Sequence, residues 1–268
     1  MAHDFKADDE IGAAVSAQHD DPYTLIGALN DGVYRAYQRD GYRIFLNVSE
    51  SRQMAKRAVG KYEPWKFAAL GAALKPGSTF LDIGANKGDF SLFAASRAGD
   101  TGCVLAVEPH PDNLGWFRRS IALNGFRTIQ VCAGVISDTD GILRLHIGSK
   151  SGHHALAPQT RDRGTLDVES TTLDDLVSRE SLQRLDAIKI DVEGAEDRVI
   201  AGAKATLARF RPLIFLDVHD LSPDQLSAMA TPLRALGYQA ETLGETPEPV
   251  ALDALQPDQD YVLRASVV

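Results

Sequence analysis

The chain has 268 residues, 28 of them basic and 37 acidic, for a formal net charge of −9. That length suits one domain with an extension, and an acidic chain without basic runs is poorly matched to nucleic acid or an anionic membrane. No run approaches the roughly 18 apolar residues of a membrane span, and MAHDFKADDE at the start has no apolar signal region. The expected setting is therefore the cytoplasm. Cys103 and Cys132 fit no metal-ligand or C-x-x-C spacing and read as buried free thiols inside core strands.

Residues 1 to about 24 are polar and acidic, a disordered or loosely packed stretch whose His3 and His19 read as solvated. Aromatic and aliphatic residues return from Tyr34 to Val48, and Tyr42–Val48 could form a strand in a small hairpin. Residues 1–60 are taken as an N-terminal extension, partly disordered or a small cap, that could cover a site or join two copies as a homodimer. Residues 61–268 are taken as the main domain. Its first element is an amphipathic helix over Trp65–Leu74, entered through Pro64 and closed near Pro76-Gly77.

The stretch Thr79–Phe90 then reads as a buried strand, a glycine turn and a helix start. Phe80, Leu81 and Ile83 are strand-like, Gly84 and Gly88 bracket the turn, and Phe90, Leu92, Phe93 and Ala94 recur at helical spacing. Glycine admits positive φ and lets a ligand lie against bare backbone. The amides that open the helix favour an anionic group such as a carboxylate, and Asp82 can brace the turn or accept from a ligand amine. The spacing is D-x-G-x-x-x-G and not the dinucleotide fingerprint G-x-G-x-x-G.

A second apolar strand, Cys103–Val107, ends in Glu108, 26 residues after Asp82. An acid near that offset can accept from ribose hydroxyls, so the pair of signals suggests a nucleoside-containing cofactor with an unphosphorylated ribose. Next come a helix over Pro111–Asn124 stopped by Gly125, a strand over Thr128–Ala133 and an alternating strand over Ile142–Ile147. Residues 148–164 are polar and read as an exposed loop, with His153 and His154 in solvent. Thr165–Glu169 is strand-like, and Thr172 caps a short helix. The strand Ala187–Ile190 with its turn, a helix over Ala195–Leu207, a strand over Pro212–His219, a helix over Pro223–Leu236 and strands near Tyr238–Thr242 and Asp260–Ala265 complete the chain. Alternating β and α elements argue for a parallel sheet with helices on both faces.

Four blocks occur in order: Gly60-Lys61-Tyr62-Glu63-Pro64, Phe80–Gly88, Val107-Glu108-Pro109 and Ile188–Glu196 (I-K-I-D-V-E-G-A-E). Together they resemble the FkbM-like class I S-adenosylmethionine-dependent methyltransferases, from about Lys61 to Asp220. The resemblance implies a Rossmann-like, mostly parallel seven-stranded sheet with an antiparallel last strand. It implies S-adenosylmethionine as methyl donor, S-adenosylhomocysteine as product, and O-methylation of a hydroxyl on a small metabolite, sugar, glycan or polyketide-type acceptor. The residues it places around the cofactor are Tyr62, Asp82, Gly84, Asn86, Gly88, Glu108, Pro109 and Asp191. It also implies that the loop 148–164 borders the substrate pocket, so that one of His153 and His154 could reach it, although solvent is the favoured place for both.

Asp191 and Glu193, at i and i+2 of an extended strand end, would share a face and could bind a hydroxyl, accept its proton or hold a divalent cation. His219, at the tip of the next strand, is a reasonable general base. Asp191, Glu193 and His219 are thus the candidate catalytic residues. A metal-free mechanism is preferred because no third ligand is evident. Three alternatives stay open: a methyltransferase-like scaffold without catalysis, a nicotinamide-dependent oxidoreductase, against which the missing G-x-G-x-x-G counts, and a methyltransferase that orients its acceptor hydroxyl on a metal with Asp191 as a ligand.

Overall fold

A computed structural model describes residues 25–28, 34–148, 154–157 and 163–266. The expectations for residues 1–24, His3, His19 and His153 fall outside them. The strands are β1 (Leu25–Ala28), β2 (Arg35–Arg39), β3 (Tyr42–Leu46), β4 (Thr79–Ile83), β5 (Cys103–Glu108), β6 (Ile129–Ala133), β7 (Val135–Ile136), β8 (Gly141–Ile147), β9 (His154–Ala155), β10 (Thr165–Thr171), β11 (Ala187–Ile190), β12 (Leu213–Val218), β13 (Tyr238–Thr242), β14 (Pro249–Val250) and β15 (Gln259–Ala265). The helices are α1 (Arg52–Ala58), α2 (Pro64–Ala73), α3 (Asp89–Ala98), α4 (Pro111–Asn124), α5 (Leu173–Arg179), α6 (Glu196–Ala201), α7 (Lys204–Phe210) and α8 (Pro223–Ala235).

The main sheet runs β14-β13-β15-β12-β11-β4-β5-β6. Strands β6, β5, β4, β11 and β12 are parallel to their neighbours, and β15 enters antiparallel between β12 and β13. Seven strands match the expectation; the eighth is the two-residue edge strand β14. Every residue of β4 and β11 is buried, as a parallel sheet covered on both faces requires. One apolar cluster, with Leu81, Leu105, Ile188 and Ile214, fills one side; the other gathers Phe80, Phe90, Val104, Phe117 and Phe215.

The hairpin β2–β3 adds Tyr37, Tyr42, Ile44 and Leu46 to that second cluster. It is clamped on α4, where Asn124 Oδ1 accepts from Arg43 N at 2.7 Å and Ser120 Oγ accepts from Phe45 N at 3.0 Å. Helix α1, capped by the Ser51 side chain, was not expected from the sequence. Beside the main sheet, β7-β10-β8-β9 form a second small sheet from the segment between β6 and α5.

Two local expectations change. The helix expected over Ala195–Leu207 is broken into α6 and α7 at Gly202-Ala203. The Asp174 carboxylate accepts from Ala205 N and Thr206 N and so starts α7 afresh. The two cysteines are half-buried and free, less enclosed than core positions would be. Among the described residues no helix is long and apolar enough to cross a membrane.

Candidate active site

The carboxyl ends of β4, β5, β11 and β12 open onto one cavity, where an open α/β sheet takes its ligand. The turn after β4 forms its floor. Gly84 has φ +80°, and a Cβ there would stand 1.8 Å from the Asp191 carbonyl oxygen, so only glycine lets the two turns pass. Gly84 N and Ala85 N both donate to Val107 O at 3.0 Å, which ties the β4 turn to β5.

Of the residues expected around a cofactor, Tyr62, Gly84, Asn86, Glu108, Pro109 and Asp191 line this cavity. Asp82 and Gly88 do not. Asp82 is fully buried behind the wall, accepting from Ser91 Oγ at 2.5 Å with Lys189 Nζ at 3.8 Å, so it braces the turn. Gly88 faces away, its missing side chain leaving room for the Phe117 ring. The opening turn of α3 contributes Phe90 to the cavity wall. Its first residue is the buried acid Asp89, whose charge suits the positive helix end and whose carboxylate accepts from the Tyr42 hydroxyl without capping the helix.

Glu108 is 4% exposed, and its geometry is fixed. Oε2 accepts from Asn86 N at 2.8 Å, while Oε1 accepts from His110 N at 2.9 Å and Asn113 Nδ2 at 3.0 Å. Burial pushes its pKa up, opposed by those hydrogen bonds and by Lys87. A carboxylate has about four acceptor positions, so Oε2 keeps one open for a ligand hydroxyl.

Asp191 and Glu193 follow β11 without sharing a strand face. The strand ends at Ile190, and Glu193 sits in the left-handed region at φ 56°, which turns its side chain back. His219, just past β12, meets both. Its Nε2 is 3.7 Å from Asp191 Oδ1 and 3.8 Å from Glu193 Oε2, and Nδ1 contacts Glu196 Oε1 at 2.8 Å. One ligand atom from each of Asp191, Glu193 and His219 lies within 4.8 Å of the others, a spacing that a proton, a hydroxyl or a cation can bridge, so the third ligand not evident in the sequence is supplied by the fold, which brings the tips of β11 and β12 together. Lys189 Nζ already donates to Asp191 Oδ2 at 2.9 Å.

Charge divides the labour within this cluster. Burial alone would raise Asp191, but Lys189, His219 and Lys66 hold it well below the usual carboxylate range. Burial, with Asp191 and Glu196 adding to it against His219, pushes Glu193 up to about 7. Burial would lower His219, yet the Glu196 hydrogen bond and the Asp191 and Glu193 charges carry it up to about 10. At neutral pH His219 therefore already holds its proton. That direction works against the general base expected at the β12 tip and leaves Glu193 as the member of the cluster whose pKa lies nearest neutrality.

Several lining or supporting residues had no expected role. Arg57 and Lys189 line the cavity, and Lys66 is buried beneath it against Asp217. The signal for two of them was in the sequence: a lysine within the apolar run Ala187–Ile190 and another on the apolar helix Pro64–Ala73. His154, expected in solvent, is half-buried, stacks on His110 at 4.2 Å and reaches the cavity wall. The strand pairing of β9 with β8 draws it in.

Five parallel strands, an antiparallel strand between the last two long ones, a glycine turn after β4 and an acid ending β5 define a class I methyltransferase architecture. Within that class the chain belongs to the FkbM family of S-adenosylmethionine-dependent methyltransferases: the profile described as "Methyltransferase FkbM domain" matches residues 82–240. The 2-O-methyltransferase NoeI of Sinorhizobium fredii is 31% identical over 180 residues, 60% of this chain and 70% of that one. The 31-O-demethyl-FK506 methyltransferase FkbM of Streptomyces tacrolimicus is 27% identical over 201 residues, 63% of this chain and 75% of that one. A crystal structure of a methyltransferase FkbM from Methylobacillus flagellatus KT superposes with a TM-score of 0.48 at 15% identity, over 79% of this chain and 54% of that one.

Proposed function

We propose that the cavity binds S-adenosylmethionine and that this chain methylates a hydroxyl of a small-molecule or glycan acceptor. One observation carries the reading. A carboxylate with an open acceptor position, Glu108, and a carboxylate–imidazole cluster, Asp191–Glu193–His219, line the same cavity across the Gly84 turn. The names of two relatives, both O-methyltransferases, support oxygen as the accepting atom.

In this reading Glu108 Oε2 accepts from a ribose hydroxyl, and the bare backbone at Gly84 lets the ligand lie close. S-adenosylmethionine supplies an electrophilic methyl and leaves as the neutral thioether. Glu193 accepts the proton of the acceptor hydroxyl, a role suited to a carboxyl whose pKa lies near neutrality. His219, oriented by Glu196, holds Asp191 and Glu193 at the same point. Lys189 and His219 already offset the charge of Asp191, so this reading assigns no role to a metal, and turnover is expected to persist in a chelator. Restoration by magnesium after loss in chelator would overturn that point.

The test is calorimetric titration with S-adenosylmethionine and S-adenosylhomocysteine, with NAD as control, followed by a mass-spectrometric screen of hydroxylated metabolites for the gain of one CH₂. Binding of NAD alone would move the chain to the oxidoreductase reading, and binding without turnover on any acceptor would favour the scaffold. Glu108→Ala is expected to weaken S-adenosylhomocysteine by about 1–3 kcal/mol, the value of a charge-assisted hydrogen bond. Unchanged affinity in a folded variant would refute the ribose assignment.

A further inference from the structure

A second cleft lies behind the Phe90 ring. Phe90 lines the cavity, and Phe67 stacks on it with ring centres 4.2 Å apart. Beyond Phe67, a cleft of about 420 Å³ opens between the β2–β3 turn, α2 and α3, a volume that suits one small molecule. Gly71 leaves the Phe93 ring bare in its wall, since a Cβ there would stand 3.2 Å from Phe93 Cζ. In the middle of a helix such as α2, glycine is otherwise unfavourable.

The walls join aromatic rings to positive charge. Phe67 and Phe93 meet edge to face at 5.2 Å, and Tyr42 stands edge-on to Phe93 at 6.3 Å. Arg39 is only 5% exposed, and its guanidinium lies 5.6 Å from the Phe67 ring and 5.9 Å from the Tyr42 ring. Arg97 lies over Phe93 at 4.8 Å. Among the described residues, the charged groups of the lining are these two guanidiniums and one carboxylate, Asp40, which pairs with Arg97. The cleft is therefore positive on a chain whose net charge is −9. An aromatic ring takes the face of a guanidinium, whose N–H edge matches an oxyanion such as a carboxylate. The rings in turn favour an aromatic guest, through stacked or edge-on contacts.

We propose that this cleft is a second binding site, separate from the cofactor cavity, for a small aromatic molecule that carries an oxyanion. Arg39 and Arg97 hold the anion, and Phe67 and Phe93 hold the ring. The site does not depend on what the cavity binds.

The probe is anilinonaphthalene sulfonate, an aromatic oxyanion that fluoresces on leaving water. Its control is phenylnaphthylamine, the same ring system without the sulfonate. Both are titrated into the full chain and its variants. Ala68→Trp fills the cleft from the exposed face of α2 and is expected to weaken both dyes by about 10-fold or more. Arg97→Met is expected to weaken the sulfonate by about 10-fold, the loss of one charge-assisted contact, and to leave the neutral dye unchanged. Arg39→Met should give a larger loss of the same selectivity; if that variant does not fold, the other two decide. Undiminished binding to Ala68→Trp would place the dyes elsewhere, and equal loss of both dyes in Arg97→Met would make the cleft merely apolar. Either result overturns the proposal. So does an unaltered chain that binds no sulfonate, or one from which S-adenosylhomocysteine displaces it by simple competition, which would put the dye in the cavity.

Discussion

A Glu193→Gln variant is expected to lose about 10²–10⁴-fold in kcat, the range for removing a positioned general base, while its affinity for S-adenosylhomocysteine stays close to that of the parent. Glutamine keeps the shape and one acceptor oxygen, so the acceptor can still bind; it cannot take the proton. The parent should also gain activity as pH rises through about 7, where Glu193 loses its proton. The groups facing it set that midpoint: burial together with Asp191 and Glu196 raises it, and His219 and Lys189 lower it. The sign follows from the role. A base works only when deprotonated, so the acid side is the inactive side, and the glutamine variant should show a flat profile through that region. Measuring kcat against pH for both proteins checks the assignment. An unchanged acid limb in Glu193→Gln would transfer the titration to another group.

The second large effect concerns stability. Lys66 is 1% exposed, and its Nζ donates to Asp217 at 2.6 and 2.7 Å, with Glu63 at 2.8 Å and Asp260 at 3.3 Å. Burial alone would lower its pKa, but these three acids keep the ammonium charged. Lys66→Ala strands Asp217 as an uncompensated buried charge, so a loss of about 3–5 kcal/mol is expected in urea unfolding. Lys66→Met with Asp217→Leu removes both charges and should recover most of that loss, because a buried pair replaced by apolar groups of similar volume is often neutral. A double variant as unstable as the single one would show that the pair itself, and not the orphaned charge, holds α2 to β12.

The elements that punctuate themselves were legible in the sequence. Pro111 and Gly125 bound α4 because proline suits a first turn and glycine a left-handed cap. The strands β4, β5, β11 and β12 are apolar runs between turn residues, and the sheet follows from their alternation with helices. Asp191, Glu193 and His219 could be named together because each ends or follows such a strand. Their electrostatics could not be read. That His219 keeps its proton depends on Glu196, 23 residues away and fully buried. Lys66 and Asp217 are 151 residues apart, and no periodicity links them. Arg57 lay in a stretch with no recognised helix signal, and only the fold sets it beside Tyr62. The histidine expected outside, His154, is held in by a two-residue strand too short to announce itself.

The placement of β15 bears on how such a chain becomes competent as it is made. This strand lies between β12 and β13, and Asp260 within it pairs in register with Asp217. Until residues 259–265 emerge from the ribosome, β12 has an open edge and Lys66 lacks one of its acids. At roughly 5–20 residues per second, that interval lasts a few seconds, during which the nascent chain presents a bare apolar strand next to its half-built site. Such an edge invites pairing with other chains. The β12 edge is thus completed only when residues 259–265 pair with it, and the segment after β12 is where a chaperone would have most to shield.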